Sequence, residues 1–364
     1  MDALDSVLKI EERLVAKATL ANIPIGGTFE LLPLCNMNCE MCFIRLSKNE
    51  MDSIGRLRTA DEWLDIAKQM KNAGTLFVLI TGGEPLLFPE FKKLYRGLRK
   101  LGMIVTINTN GTLITEDIAK MFGEDKPRRI NITLYGASNE TYNKLCHNPN
   151  GFDQTIRGIE LLMKYHIDIK LNGTIVPENQ YEIKLLQDIA NKYNLYMKMD
   201  TYIYPTSRER IQLFNDNARL PAKLAAQKNI EIKKLQKTAD AFNEYKQFML
   251  DNCYSSETKE DSSLSCRAGK SAFWITWYGD MTPCIFMKKP SINVFEEGFN
   301  KSWNYIIDEA KKLHMPTKCL SCDKRKICQV CGASAFCENG SFEKEPKYMC
   351  EYIDETLKEL RSAK

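Results

Sequence analysis

Histidine is nearly missing from this chain. Only His147, His166 and His314 occur in 364 residues, which leaves little imidazole for a mixed cysteine and histidine zinc chemistry. Long apolar runs are missing too: no stretch approaches the roughly 18 residues of a membrane-spanning helix. Met1 to Ala18 interleaves Asp2, Asp5, Lys9, Glu11, Glu12 and Arg13 with its apolar positions, unlike a secretory leader. The expectation is a cytoplasmic protein with no membrane partner. An excess of either charge is lacking as well, since 51 basic and 47 acidic residues leave a net +4. That balance is too weak and too dispersed to expect a nucleic-acid partner. No Pro, Ser or Gly tract and no solenoid repeat interrupts the pattern, so most of the chain should fold.

Thirteen cysteines stand against these absences. In a long chain read as cytoplasmic, thiols stay reduced, and metal ligation is the default. With so few histidines the sites should be thiolate-only, suited to zinc or to iron–sulfur clusters. The length exceeds what one hydrophobic core usually serves, which points to a large domain plus an appendage.

From Thr28 to Pro205 short apolar runs alternate with amphipathic stretches, the pattern of strand-helix units on a parallel sheet. Six strands are expected: Thr28–Pro33, Thr75–Ile80, Met103–Asn108, Arg129–Leu134, Asp168–Ile175 and Leu195–Tyr204. Their Val, Ile, Leu and Phe content suits strands buried on both faces. Thr59 should cap a helix over Ala60–Asn72, with others over Gly151–Tyr165 and Glu178–Tyr193. No further unit follows Tyr204, so the fold class is α/β, a partial six-unit barrel with active residues at the strands' C-terminal ends. Ala218–Leu250 reads as a connecting helix or helix pair with a solvated lysine face. A cysteine-rich region then runs to Cys350, and Tyr352–Arg361 forms a short terminal helix. The expected boundaries are 1–27, 28–205, 206–250, 251–350 and 351–364.

Directly after the first strand come Cys35, Cys39 and Cys42, spaced C-x3-C-x2-C with no fourth cysteine or histidine nearby. Three ligands leave one metal position open, as catalytic sites do and structural zinc sites do not. This array, in the loop after the first strand of a strand-helix barrel, resembles the signature of the radical S-adenosylmethionine (SAM) superfamily. The resemblance implies a [4Fe–4S] cluster whose open iron is chelated by SAM, and reductive cleavage to a 5′-deoxyadenosyl radical that takes a substrate hydrogen. It also implies an electron donor such as flavodoxin or ferredoxin. Relatives favour an aromatic residue just before the third cysteine. Here Met41 holds that place, with Phe43 following, and either can pack against adenine. Thr81-Gly82-Gly83-Glu84-Pro85 is similar to the family turn whose carbonyls and carboxylate meet the SAM ammonium group. By the same resemblance Asn108, Asn110 and Thr133 line the SAM pocket, and Ile175 or Val176 lies against adenine.

Farther on, Cys266 and Cys284 flank Gly279 and an aromatic run, Phe273 to Tyr278, that reads as a hairpin. Cys319, Cys322, Cys328, Cys331 and Cys350 follow. This arrangement resembles the SPASM extension, which implies two auxiliary [4Fe–4S] clusters. Cys319, Cys322, Cys328 and Cys350 would hold one; Cys266, Cys284 and Cys331, with Cys253, would hold the other. Cys337 is an extra thiol able to compete for that last place. Anaerobic sulfatase maturases share this layout but put an aspartate base after the equivalent of Cys284, where this chain has Ile285. Cys146 falls where those enzymes have an arginine, and a thiol there is a candidate hydrogen-atom donor, its alternative being a buried small hydrophobe. Asp200, Tyr202, Tyr204 and Arg208 are candidate substrate contacts.

Most relatives with this extension modify ribosomally made peptides, so a peptide substrate is expected, with crosslink, thioether or epimer as product. Only 27 residues precede the first strand, too few for a winged-helix leader binder, so leader recognition is expected from a separate protein, from the barrel itself, or not at all. The alternatives are a radical SAM oxidoreductase acting on a small molecule, and a non-catalytic iron–sulfur or zinc-binding interaction protein.

Overall fold

Branched and aromatic residues punctuated by glycine build the strands, and the computed structural model shows how they join. It describes residues 3–203, 205, 218–254 and 266–362. Six parallel strands, β1 (Gly26–Glu30), β2 (Phe77–Thr81), β3 (Ile104–Thr109), β4 (Arg129–Thr133), β5 (Ile169–Thr174) and β6 (Tyr196–Asp200), lie side by side in chain order. Each falls within about two residues of its expected start. Thr59 and Glu62 form a reciprocal capping box for the helix Ala60–Asn72, which has the expected bounds.

The strands are not buried on both faces. Val78, Ile80, Val105, Ile107, Ile130, Ile132, Ile169 and Leu171 lie under helices. Their alternates, Thr106, Asn108, Asn131, Thr133, Asn172 and Thr174, are only half-buried. The period is therefore two: a partial barrel curls around a lumen that apolar side chains do not fill, so the inward positions are polar.

The sheet does not end at β1. Ala272–Ile275 (β7) pairs with β1 in parallel, Thr28 opposite Trp274, and Asp280–Thr282 (β8) and Ile292–Asn293 (β9) continue it antiparallel. The expected hairpin is β7–β8, turning at Gly279 with φ +110°. Gly27 permits the seam, because a Cβ there would stand 2.4 Å from the Phe273 ring. Trp274 Nε1 donates to the buried Glu30 carboxylate at 2.8 Å across it.

The flanking regions are helical, the connecting one as the expected pair, and only the terminal helix departs from its expected bounds. The N-terminal segment contains a helix, Ala3–Leu20. The connecting region holds two helices, Ala222–Gln236 and Ala239–Asp251. The terminal helix starts at Lys347, earlier than expected, and so carries Cys350 in its first turn. Buried Ile353, Leu357 and Leu360 face a second apolar cluster with Ile230, Phe242 and Met249. No helix among the described residues is long and apolar enough to cross a membrane. Tyr204 and Arg208 lie outside the described residues.

Candidate active site

The loop from β1 carries Cys35, Cys39 and Cys42, and two neighbours hold its backbone. The Gly82-Gly83 turn after β2 is zipped to it: Gly83 N donates to Leu32 O at 2.7 Å, and Glu84 N to Leu34 O at 2.9 Å. A Cβ on Gly83 would stand 2.3 Å from the Leu34 carbonyl oxygen, so glycine is required by backbone approach. On the other side is the C-terminus of the helix Asn139–Cys146, whose last carbonyls lack intrahelical donors. Asn38 N donates to Cys146 O at 2.9 Å and Glu40 N to Leu145 O at 3.1 Å. His147 follows with φ +54°, and its Nε2 meets Glu40 Oε1 at 2.6 Å.

The thiols themselves are surrounded by donors. Met37 N donates to Cys35 Sγ and Arg45 N to Cys42 Sγ, both at 3.4 Å, and Asn110 Nδ2 reaches Cys35 Sγ at 3.7 Å. Asn110 also donates to Asn36 Oδ1 at 2.9 Å, while Asn36 donates to Thr112. Burial, with the Glu84 charge second, pushes the Cys35 thiol up to about 12. Cys39 is raised well above the ordinary thiol range, chiefly by its hydrogen bond with Cys146 and then by burial. Fully buried Cys146 thus lies behind Cys39, outside the cavity described below. Glu84 is fully buried and receives Thr109 Oγ1 at 2.8 Å, Asn110 N at 2.8 Å and Leu86 N at 3.1 Å. Burial raises its carboxyl to about 7 against these donors. Such a carboxyl, backed by three donors, is prepared to ionise beside an incoming cation.

At the C-terminal ends of β5 and β6 opens a cavity of about 330 Å³, lined by Met41, Phe43, Thr174, Lys198, Asp200, Tyr202, Ile203, Phe286 and Gln329. The structure therefore brings Met41, Phe43, Asp200 and Tyr202 together. The Phe43 and Phe286 rings lie 5.9 Å apart, and Lys198 pairs with Asp200 at 2.8 Å. Asn108, bonded to Asn131 Nδ2 at 2.8 Å, and Thr133 are half-buried on the lumen face farther down the strands. Ile175 and Val176 are buried among the core residues. Sequence reasoning missed Thr174, Lys198, Phe286 and Gln329; the lumen alternation marks the first two, and adjacency to Cys284 and Cys328 marks the others.

Cys319, Cys322, Cys328 and Cys350 line one small cavity of about 60 Å³ with Arg325. Burial pushes Cys319 up to about 11 and Cys328 up to about 12. Arg325 Nε is buried with no hydrogen-bond partner, a donor suited to an anionic group in that cavity. Cys284 is likewise raised to about 12 by burial, and the thiols near it are Cys331, Cys266 and Cys337. Cys253 is elsewhere: its thiol donates to Leu250 O at 3.0 Å, and Arg361 Nη2 reaches it at 3.9 Å. Among the described residues no three His, Cys, Asp or Glu side chains converge on a single metal ion.

Known proteins resemble this chain over most of its length. The AdoMet-dependent heme synthase of Methanosarcina barkeri is 25% identical over 345 residues, 90% of this chain and 97% of that one. The subtilosin biosynthesis protein AlbA of Bacillus subtilis is 23% identical over 327 residues, 86% of this chain and 66% of AlbA. The crystal structure of Streptococcus suis SuiB bound to the precursor peptide SuiA superposes with a TM-score of 0.67 at 21% identity, covering 96% of this chain and 82% of SuiB. Residues 29–189 match the radical SAM superfamily. Those residues span the triad loop, the Gly82-Gly83 turn and strands β2 to β5, so the chain carries a radical SAM domain, and a cysteine-rich region follows it.

Proposed function

We propose that this enzyme removes a hydrogen atom from a ribosomally made peptide and leaves a crosslink, thioether or inverted centre. When bound, the cluster and SAM supply the 5′-deoxyadenosyl radical. Cys35, Cys39 and Cys42 would hold the cluster, Glu84 the SAM ammonium group, and Met41 and Phe43 the adenine side of the cavity. Cys319, Cys322, Cys328 and Cys350 would hold an auxiliary cluster, and the electron for reductive cleavage of SAM would come from an outside donor such as a flavodoxin or ferredoxin.

One observation carries the peptide reading. The cavity at the ends of β5 and β6 adjoins a second, of about 240 Å³, that shares Lys198, Asp200, Tyr202 and Gln329 with it and runs on to Tyr245 and Tyr352. Two adjoining depressions, the first largely apolar and the second polar-walled, suit an extended chain that has side chains to bury and backbone amides that need partners. AlbA is a biosynthesis protein of the bacteriocin subtilosin, and SuiB has been crystallised with its precursor peptide SuiA bound. A small-molecule substrate is the second reading, favoured by the near full-length match to the heme synthase.

Deuterium separates the two. With a candidate peptide deuterated at the reacting carbon, label should enter 5′-deoxyadenosine, and the peptide should lose two hydrogens, the label among them, for a crosslink or thioether, or exchange the label for hydrogen and become one mass unit lighter for an epimer. Label entering only from a deuterated tetrapyrrole or other metabolite would reject the peptide reading. Stoichiometric zinc without iron or sulfide after anaerobic reconstitution would reject the enzyme reading altogether.

A further inference from the structure

The thiol that completes the second group of C-terminal cysteines is decided by where two side chains point. We propose that Cys337 is the fourth thiolate of a cluster held by Cys266, Cys284 and Cys331, in place of Cys253. The assignment rests on the reading that this region holds auxiliary clusters.

Cys331 caps the helix Gly332–Asn339, its sulfur accepting Ser334 N at 3.4 Å. Cys337 rides on that same helix, so the two thiols share one rigid support. From there Cys337 Sγ donates to the Phe286 carbonyl at 3.3 Å, two residues past Cys284. Cys284 and Cys331 border a common apolar cluster with Ala268, Met287, Leu313 and Ala333, and Cys266 lies near Cys284 as well. Cys253 belongs to a different cluster, with Met315, Ile327 and the terminal helix, which Cys331 borders but Cys284 does not. Its thiol is tied to Leu250 O, and its outer side meets Arg361. To reach Cys284 it would have to leave a site where it is 1% exposed. Four thiols drawn from the Cys266 and Cys284 loops and one helix thus gather about Cys284, and Phe286, which accepts from Cys337, also lines the cavity at the barrel mouth.

The test uses the full chain with Cys35, Cys39 and Cys42 replaced by alanine, so that only C-terminal iron is counted after anaerobic reconstitution. This background should carry about eight irons, four per cluster. Adding Cys337→Ser should remove about half of that iron or convert one cluster to a three-iron form visible by EPR after mild oxidation, while adding Cys253→Ser should change neither. Cys337→Asp keeps an anionic ligand and should retain the iron with an altered reduced-state EPR spectrum, a change that mere packing would not produce. Iron lost with Cys253→Ser but kept with Cys337→Ser overturns the assignment, as does an Asp variant with an unchanged spectrum. Absence of all iron from the background protein overturns the auxiliary-cluster reading itself, and is distinguished by that.

Discussion

Single residues fail or succeed here by how closely they let backbones approach. Gly83 is the sharpest case. Alanine there drives a Cβ into the Leu34 carbonyl, an overpacking that costs about 1–3 kcal/mol and displaces Cys35. Gly83→Ala should lower the melting temperature and abolish most triad iron, while the C-terminal iron stays; retention of all iron would show that the contact is relieved without moving the loop. Cys146 acts at the same place from the opposite side, its carbonyl receiving Asn38 N and its thiol bonded to Cys39. Cys146→Ala should leave the product mass and stereochemistry unchanged but loosen iron retention in the triad. A changed product at full iron content would instead give Cys146 the hydrogen-donor role.

At the scale of the element, the helix Ala60–Asn72 shows charge and capping combined. Glu62 receives Arg56 at 2.7 and 2.8 Å, Thr59 N at 2.8 Å and Arg58 at 3.4 Å. The Arg56 guanidinium, with the Thr59 amide, holds its carboxyl at about 2 against the opposing effect of burial. A carboxyl depressed on folding stabilises the folded state above its ordinary pKa near 4.5, and that contribution disappears as pH falls toward 2. Glu62→Gln should therefore lower the melting temperature at pH 7, by about 2 °C for a loss on the order of 1 kcal/mol, and progressively less between pH 4.5 and 3. An equal loss at both ends would assign the effect to packing.

For the molecule as a whole, the seam between β1 and β7 matters most. Phe295 stands edge-on to Trp63 at 5.2 Å, and Phe273, under Gly27, meets Phe299 at 5.1 Å. One apolar core thus runs from the helix Ala60–Asn72 through β7 and β8 to the helix Phe299–Ala310. A fragment ending at residue 254 would uncover that core and leave β1 as an open edge. It should aggregate or bind a hydrophobic dye strongly in solution; a soluble fragment with a cooperative melt would contradict a shared core.

The chain's own pattern determined the positions of the six strands, the capped helix and the cysteine triad, because apolar runs, capping residues and ligand spacing are local properties that hold before folding. It also marked Glu84, through a turn whose two glycines admit a neighbouring backbone. Only the tertiary structure decided the polar lumen, the attachment of β7 beside β1, the place of Cys146 behind Cys39, and the separation of Cys253 from Cys284. Each of these depends on which distant segments come within a few ångströms of one another. Spacing along the chain says that two thiols are present; only packing says whether they face the same space.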